Sequence, residues 1–260
     1  MAYLAGCSRR FKSYYNPNHG QSGADESERL PSSRGTLPIN LVLSILTQAI
    51  SFTFWNKFFP MPSPLWPYVT PGIADDLFER LPGIPMSPRE VRLLLVSALR
   101  LKPDTVLWDI GAGTGTIPVE VGLLCPAGRV MAIERDEEVA SLIRRNCDRF
   151  GVTTVQVIEG SAPDCLIDLT PPPDRVCIEG GKTIKPIVQA VWQHLQPDGR
   201  IVATATNLES LYQISESFAE LQVRNIEIVQ SAVNRLERRG LNQVFAASAP
   251  IFVLSGEKLD

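Results

Sequence analysis

Asp109-Ile110-Gly111-Ala112-Gly113-Thr114-Gly115 places three glycines at alternate positions directly after the apolar run Val106–Ile110. Without a Cβ in the way, such a turn folds tightly and lets its backbone approach a ligand. A helix starting behind it would turn free N–H groups toward an anion. A dinucleotide fingerprint needs Gly-x-Gly-x-x-Gly. Counted from Gly111 the last position is Thr116, and counted from Gly113 it is Pro118, so that pattern fails in both frames. An acid is expected about 20 residues further on, and Glu134 closes the run Val130-Met131-Ala132-Ile133-Glu134 at that offset. A carboxylate only accepts and can take two donors at once, which suits a pair of ribose hydroxyls. Asp136 competes for the role but reads better as the cap of the next helix, and Glu137 and Glu138 read as solvated charge. A third short segment, Glu159-Gly160-Ser161-Ala162-Pro163, offers in Ala162 a side chain small enough for a flat ring to lie against.

These residues need a scaffold that brings loop ends together, and the chain alternates strand and helix signals from Leu81 onward, the pattern of a mostly parallel sheet. Ser87-Pro88-Arg89-Glu90 has the form of a capping box with Pro at the first helical position, and Met86 and Val91 are placed as a hydrophobic staple across it. The helix runs to about Arg100. Strands are expected at Thr105–Ile110, Arg129–Ile133, Val155–Ile158, Arg175–Ile178 and Ile201–Ala205. Helices are expected from the glycine turn to Leu124, at Asp136–Phe150, at Lys185–Leu195 and at Glu209–Leu221. Asn225–Val229 and Val244–Leu254 read as a closing pair of strands, joined by a connection that contains Gly240. The fold class is therefore α/β, a doubly wound Rossmann-like sheet with an antiparallel last strand.

Composition narrows the function classes. The chain has 260 residues, 44% of them hydrophobic, enough for one α/β domain with a full core and an appendage. Its net charge of −3 argues against holding nucleic acid by bulk positive charge. Five scattered cysteines without a Cys-x-x-Cys pair, and only His19 and His194 beside them, leave no metal site to expect. They fit unpaired thiols in a reducing cytosol. Residues 1–60 differ from the rest: 7–38 read as disordered, and Ile39–Trp55 carries no formal charge. That apolar segment reads as a short membrane or interfacial anchor, as a docking helix, or as sequence upstream of the true start, with Met61 then opening the compact domain at 61–260. The last of these is the expectation adopted.

The loop form Asp-x-Gly-x-Gly-x-Gly resembles the class I S-adenosylmethionine-dependent methyltransferases. No Asn/Asp-Pro-Pro-aromatic motif follows strand four, which reads Ile178-Glu179-Gly180-Gly181-Lys182, so methylation of an exocyclic amine is not expected. Within that class the chain is similar to one family, the cobalamin-pathway enzymes that methylate C15 of cobalt-precorrin-6B and decarboxylate its C12 acetate. The resemblance spans about residues 70 to 257. It rests on Pro71-Gly72-Ile73-Ala74-Asp75-Asp76-Leu77-Phe78 and Pro85-Met86-Ser87-Pro88-Arg89-Glu90-Val91-Arg92, with the glycine loop, Ala132-Ile133-Glu134-Arg135, Glu159–Pro163 and Ile178–Gly181. It implies S-adenosylmethionine as cofactor, touched by Ser87, Gly111, Ala112, Gly113, Thr114, Gly115, Glu134 and Ala162. It also implies a homo-oligomer, and a separate C5-methyltransferase as a functional neighbour. Glu179 departs from the family, where a small or apolar residue often stands, and residues 1–60 lie outside the resemblance.

A precorrin carries many carboxylates, so its pocket should present cations. Strand six should run parallel to strands one to five, which hangs the segment 231–240 over the cofactor face with three arginines and one glutamate. Arg235, Arg238 and Arg239, with Lys182 and Lys185 after strand four, are the expected substrate contacts, arginine because its fork grips a carboxylate with two parallel bonds. No catalytic residue is assigned. A meso carbon of a reduced tetrapyrrole is an enamine-like nucleophile and needs no strong base. The alternative reading is a class I methyltransferase acting on RNA or protein, of which the acidic balance disfavours the first.

Overall fold

The computed structural model describes residues 64–180 and 183–259. Nine strands and five α-helices follow one another among them. In chain order they are α1 (Arg89–Leu99), β1 (Val106–Ile110), α2 (Thr116–Leu124), β2 (Arg129–Glu134), α3 (Glu137–Phe150), β3 (Val155–Glu159), β4 (Arg175–Ile178), α4 (Ile184–His194), β5 (Arg200–Ala205), α5 (Leu208–Glu220), β6 (Arg224–Ser231), β7 (Asn234–Arg239), β8 (Asn242–Ala247) and β9 (Ile251–Glu257). Seven strands form one sheet in the order β3-β2-β1-β4-β5-β9-β6. β1 to β5 are mutually parallel, and β9 runs antiparallel between β5 and β6. The expected doubly wound sheet is therefore present.

The central strands β1, β4 and β5 are almost wholly buried, which is why they read as unbroken apolar runs rather than alternations. Alternate residues feed opposite layers. Trp108 and Ile110 join a core with Ile184, Val188, Trp192, Ile214 and Phe218 from α4 and α5. Leu107 joins Leu95, Leu99, Ile117 and Val121 from α1 and α2. α2 is buried along nearly its whole length, from Thr116 to Gly122, so its sequence shows no polar face. α3 does, and Asp136 caps it as expected, its carboxylate accepting from the N–H groups of Glu138 and Val139.

Two local expectations fail for identifiable reasons. Ser87 does not cap α1. The cap is Pro88, whose carbonyl accepts from Val91 N and Arg92 N, and the Ser87 hydroxyl is turned away toward Glu179. The single strand expected at Val244–Leu254 is two. β8 ends at Ala247, and Pro250, which has no N–H to give a ladder, separates it from β9. β7 and β8 pair with each other as a two-stranded ribbon around Gly240-Leu241, inserted between the last two strands of the main sheet.

One ion pair fixes the segment that precedes α1. Arg92 and Glu120 face each other on α1 and α2 with both side chains at 0% exposure, Arg92 Nε to Glu120 Oε1 at 2.8 Å. Burial of two charges is tolerated only when their remaining hydrogen-bonding capacity is used. Here Arg92 also donates to the Ser87 carbonyl at 2.7 Å, to Asp75 at 2.6 Å and to the Ile73 carbonyl. Glu120 accepts from Gly72 N at 2.6 Å and from Ile73 N at 3.3 Å. The guanidinium also lies 5.2 Å from the Phe78 ring centroid.

Arg92→Met strands the Glu120 carboxylate in the interior and is expected to cost about 3–5 kcal/mol of stability in urea unfolding. The double variant Arg92→Met/Glu120→Leu should recover most of that loss, because no uncompensated charge remains.

Candidate active site

The sheet order reverses between β1 and β4, which lie side by side but wind to opposite edges. Ligands of open α/β sheets bind at such a point, beyond the carboxyl ends of the strands. A cavity of about 590 Å³ opens there, walled by the ends of β1 to β5 and roofed by Ile84 and Pro85. That volume falls within the roughly 300–1,000 Å³ usual for small-molecule sites.

Gly111, Gly113, Glu134 and Ala162 line it. A Cβ on Gly111 would stand 2.6 Å from the Glu179 carbonyl oxygen, so only glycine lets the first loop pass over the end of β4. Gly113 has room for a Cβ but holds φ at +53°, a conformation side chains adopt at a cost of about 1–2 kcal/mol. Ala112 and Thr114 are buried behind the loop, the latter donating to the Pro85 carbonyl at 3.3 Å, and Gly115 heads α2 against Ile143. These three shape the loop without lining the cavity. Ser87 lies beside it, hydrogen-bonded to Glu179, which does line it.

Glu134 is held by three backbone donors. Gly113 N reaches one carboxylate oxygen at 3.1 Å, and Arg135 N and Asp136 N reach the other at 2.9 and 3.2 Å. Three of the roughly four acceptor sites of the carboxylate are thus taken, and the oxygen that Gly113 reaches keeps one for a ligand hydroxyl. Thr183, Thr204, Thr206, Asn207 and Ser210 add hydroxyls and an amide from the end of β5, the segments after β4 and β5 and the first turn of α5. Sequence reading passed over them, although Thr204, Thr206 and Asn207 end or follow β5 and Thr183 follows β4, and that position was the available signal.

The cationic residues are placed differently. Lys185 pairs with Glu216 and Glu220 of α5 at 2.8 and 2.7 Å, and those bonds hold its ammonium more firmly charged. Arg235 bridges Glu90 and Asp75. Burial opposes ionisation of Asp75, but hydrogen bonds from Arg92 and Arg235 outweigh it and hold that carboxyl below its usual range. Arg238 donates at 3.3 Å to the Gly240 carbonyl, and Arg239 pairs with Glu237 at 3.5 Å at the exposed tip of the ribbon. None of these four is among the cavity-lining residues, and Lys182 lies outside the described residues. The pairing of Arg235 with Asp75 and Glu90 sets the base of the ribbon beside the start of α1, on the cavity side of the sheet.

Residues 78–258 match the family model described as a precorrin methyltransferase domain. The chain belongs to the precorrin methyltransferase family. A probable cobalt-precorrin-6B C(15)-methyltransferase (decarboxylating) of Saccharolobus solfataricus is 39% identical over 196 residues, covering 74% of this chain and 98% of the relative. The cobalt-precorrin-6B C(15)-methyltransferase (decarboxylating) of Salmonella typhimurium is 31% identical over 187 residues, covering 72% and 96%. The solved precorrin-6y C5,15-methyltransferase of Geobacter metallireducens superposes with a TM-score of 0.68 at 33% identity, covering 76% of this chain and all of that one. The fold is the class I methyltransferase fold. Precorrin methyltransferases of this fold imply use of S-adenosylmethionine, and the residues present fit it. The glycine loop leaves a space no side chain fills, and the Glu134 carboxylate is aimed and held beside it.

Gly113→Val puts a branched side chain into the cavity floor at an unfavourable φ and is expected to abolish binding of S-adenosylhomocysteine in isothermal calorimetry. Unchanged affinity would remove this loop from the site.

Proposed function

We propose that this chain transfers the methyl group of S-adenosylmethionine to C15 of cobalt-precorrin-6B and decarboxylates the C12 acetate, a step of cobalamin biosynthesis carried out in the cytoplasm. The observation that carries the reading is a match running over 96–98% of relatives that bear this activity in their names, with the cavity at the switch point intact. When bound, S-adenosylmethionine supplies an electrophilic methyl group on a sulfonium. In this reading Glu134 accepts from the ribose hydroxyls, the Gly111–Gly115 loop seats the methionine end with Ser87 at its edge, and Ala162 lies along the adenine. The cavity wall would position the tetrapyrrole carbon against the methyl group that the cofactor supplies. Positioning of that kind is worth on the order of 7–11 kcal/mol.

The substrate's carboxylates are assigned to the ribbon and the end of β4, to Arg235, Arg238, Arg239, Lys182 and Lys185. Arg238 and Arg239 are the freest of the described ones, with no partner beyond the ribbon itself. Arg235 serves by holding the ribbon on Glu90 and Asp75. The protein is further proposed to be a homo-oligomer, with C5 methylation left to a separate enzyme. Outer strand β6 exposes Ile226, Ile228 and Val229 along an unpaired edge, and the ribbon exposes Leu236, Leu241 and Phe245. Edges of this kind are usually covered. Among the described residues no helix is long and apolar enough to cross a membrane, and Ile39–Trp55 lies outside them. The compact domain is proposed to begin near Met61, with residues 1–60 an extension.

Incubation with cobalt-precorrin-6B and S-adenosylmethionine should give, by mass spectrometry, a gain of about 14 and a loss of about 44 mass units, the masses of CH2 and CO2. Arg238→Ala should raise the apparent KM for the tetrapyrrole and leave affinity for S-adenosylhomocysteine within error. A tetrapyrrole left unchanged would overturn the substrate. In sedimentation velocity the wild type should run as an oligomer, and the double variant Ile228→Glu/Phe245→Glu as a monomer.

A further inference from the structure

Glu179 ends up at the switch point because β4 stops there, and it lines the cavity. One of its carboxylate oxygens accepts from the Ser87 hydroxyl. The carboxyl groups of Glu179 and Asp109, with the Cys177 sulfur, bring one atom each within 4.8 Å of one another. Asp109 is wholly buried on β1, and neither of its carboxylate oxygens has a hydrogen-bond partner. Two carboxyls this close, one wholly buried and the other half-buried, oppose each other's ionisation. Burial raises the pKa of each, and for Asp109 the charge of Glu179 raises it further. Ser87 and Arg92, from the segment around the start of α1, favour the charged form of Glu179 without reversing that direction. Cys177 on β4 stays a thiol through burial, and Glu134 from β2 adds its charge against ionisation of Asp109. The pair therefore keeps a proton where solvated carboxyls have lost theirs, and its outward member faces the cavity.

Methyl transfer to a nucleophilic carbon has no use for such a proton, but the second half of the proposed reaction does. C15 forms its bond to the methyl carbon with an electron pair of the ring. The C–CO2 bond breaks, its pair returns to the ring as CO2 leaves, and an exocyclic methylene stands where the acetate was. That carbon gains a proton to become a methyl group, and C15 gives one up, so no proton is gained or lost overall and no oxidant or reductant enters. We propose that Glu179 delivers the proton to the side-chain carbon and recovers one from C15, with Asp109 behind it as a positioning residue. The inference rests on the reaction proposed above and deepens it.

The test is single-turnover kinetics of the full-length chain on cobalt-precorrin-6B with S-adenosylmethionine, following S-adenosylhomocysteine, CO2 and the absorption spectrum of the tetrapyrrole. Glu179→Gln cannot exchange a proton. It should accumulate an isomer of the product, equal in mass, and form the final product more slowly by a factor on the order of 10²–10⁴. Glu179→Asp should recover part of that rate. In the wild type the step should slow as pH rises through the pKa of Glu179. Ser87→Ala removes a bond to the charged form and should move that limb to higher pH. Calorimetry with S-adenosylhomocysteine reports on folding and the cofactor seat separately. Final product from Glu179→Gln within threefold of the wild-type rate, or an unmoved limb in Ser87→Ala, would overturn the role. Loss of S-adenosylhomocysteine binding in Glu179→Gln would overturn it too, by making Glu179 part of the cofactor seat. A wild type inert on this tetrapyrrole would sink the substrate reading, and this role with it.

Discussion

The buried pair of Arg92 and Glu120 is the constraint on which the rest of the site depends. A parallel sheet with helices on both faces would form without it, but its carboxyl edge would be an open crevice. The pair draws Gly72, Ile73, Asp75 and the Ser87 carbonyl onto the ends of α1 and α2. Residues 72–88 are thereby laid across that edge, and Ile84 and Pro85 become a roof. Two charges in a dry interior are an expensive way to fasten a loop, and an apolar contact of the same volume would be at least as stable. What the ions add is direction. The three nitrogens of the guanidinium point at four fixed acceptors, so the segment has a single register.

The same economy of direction runs through the cavity. Glu134 is already satisfied by backbone N–H groups that are themselves fixed by the loop, so it does not have to reorganise to accept hydroxyls. Asp109 and Glu179 show the reverse treatment. Glu179 accepts from Ser87 at the cavity wall, while Asp109 behind it is wholly buried with no hydrogen-bond partner for either oxygen. Burial pushes both of these acids toward the protonated form.

The sheet, its order of elements and the glycine loop were legible because they rest on local rules. Apolar runs of strand length, an Asp136 cap and glycines after β1 each imply their structure within a few residues. What stayed hidden depends on contacts between distant segments. Ser87 looks like a helix cap in isolation and is drawn away by Glu179, 92 positions later. Glu120 sits in an apolar helix, where its charge was the one sign that a buried partner existed. The break at Ser248-Ala249-Pro250 could have been read from the proline, but the β-branched and aromatic residues on both sides argued for continuity. Arg235 was read as a ligand for carboxylates, and its partners are carboxylates, but those of Asp75 and Glu90. The chemistry of the side chain was legible there, while the identity of its partner was not.

The ribbon of β7 and β8 is joined to the main sheet only through its two ends, and Arg235 fastens it to Asp75 and Glu90 by contacts that remain partly open to water. Interactions of that kind weaken as ionic strength rises, since mobile ions screen them over about 8 Å at physiological salt. The Arg92–Glu120 pair, closed to solvent, is screened far less. The two ends of one charge network therefore answer differently to their medium. Added salt loosens the fastening of the ribbon while the roof of the cavity stays in place.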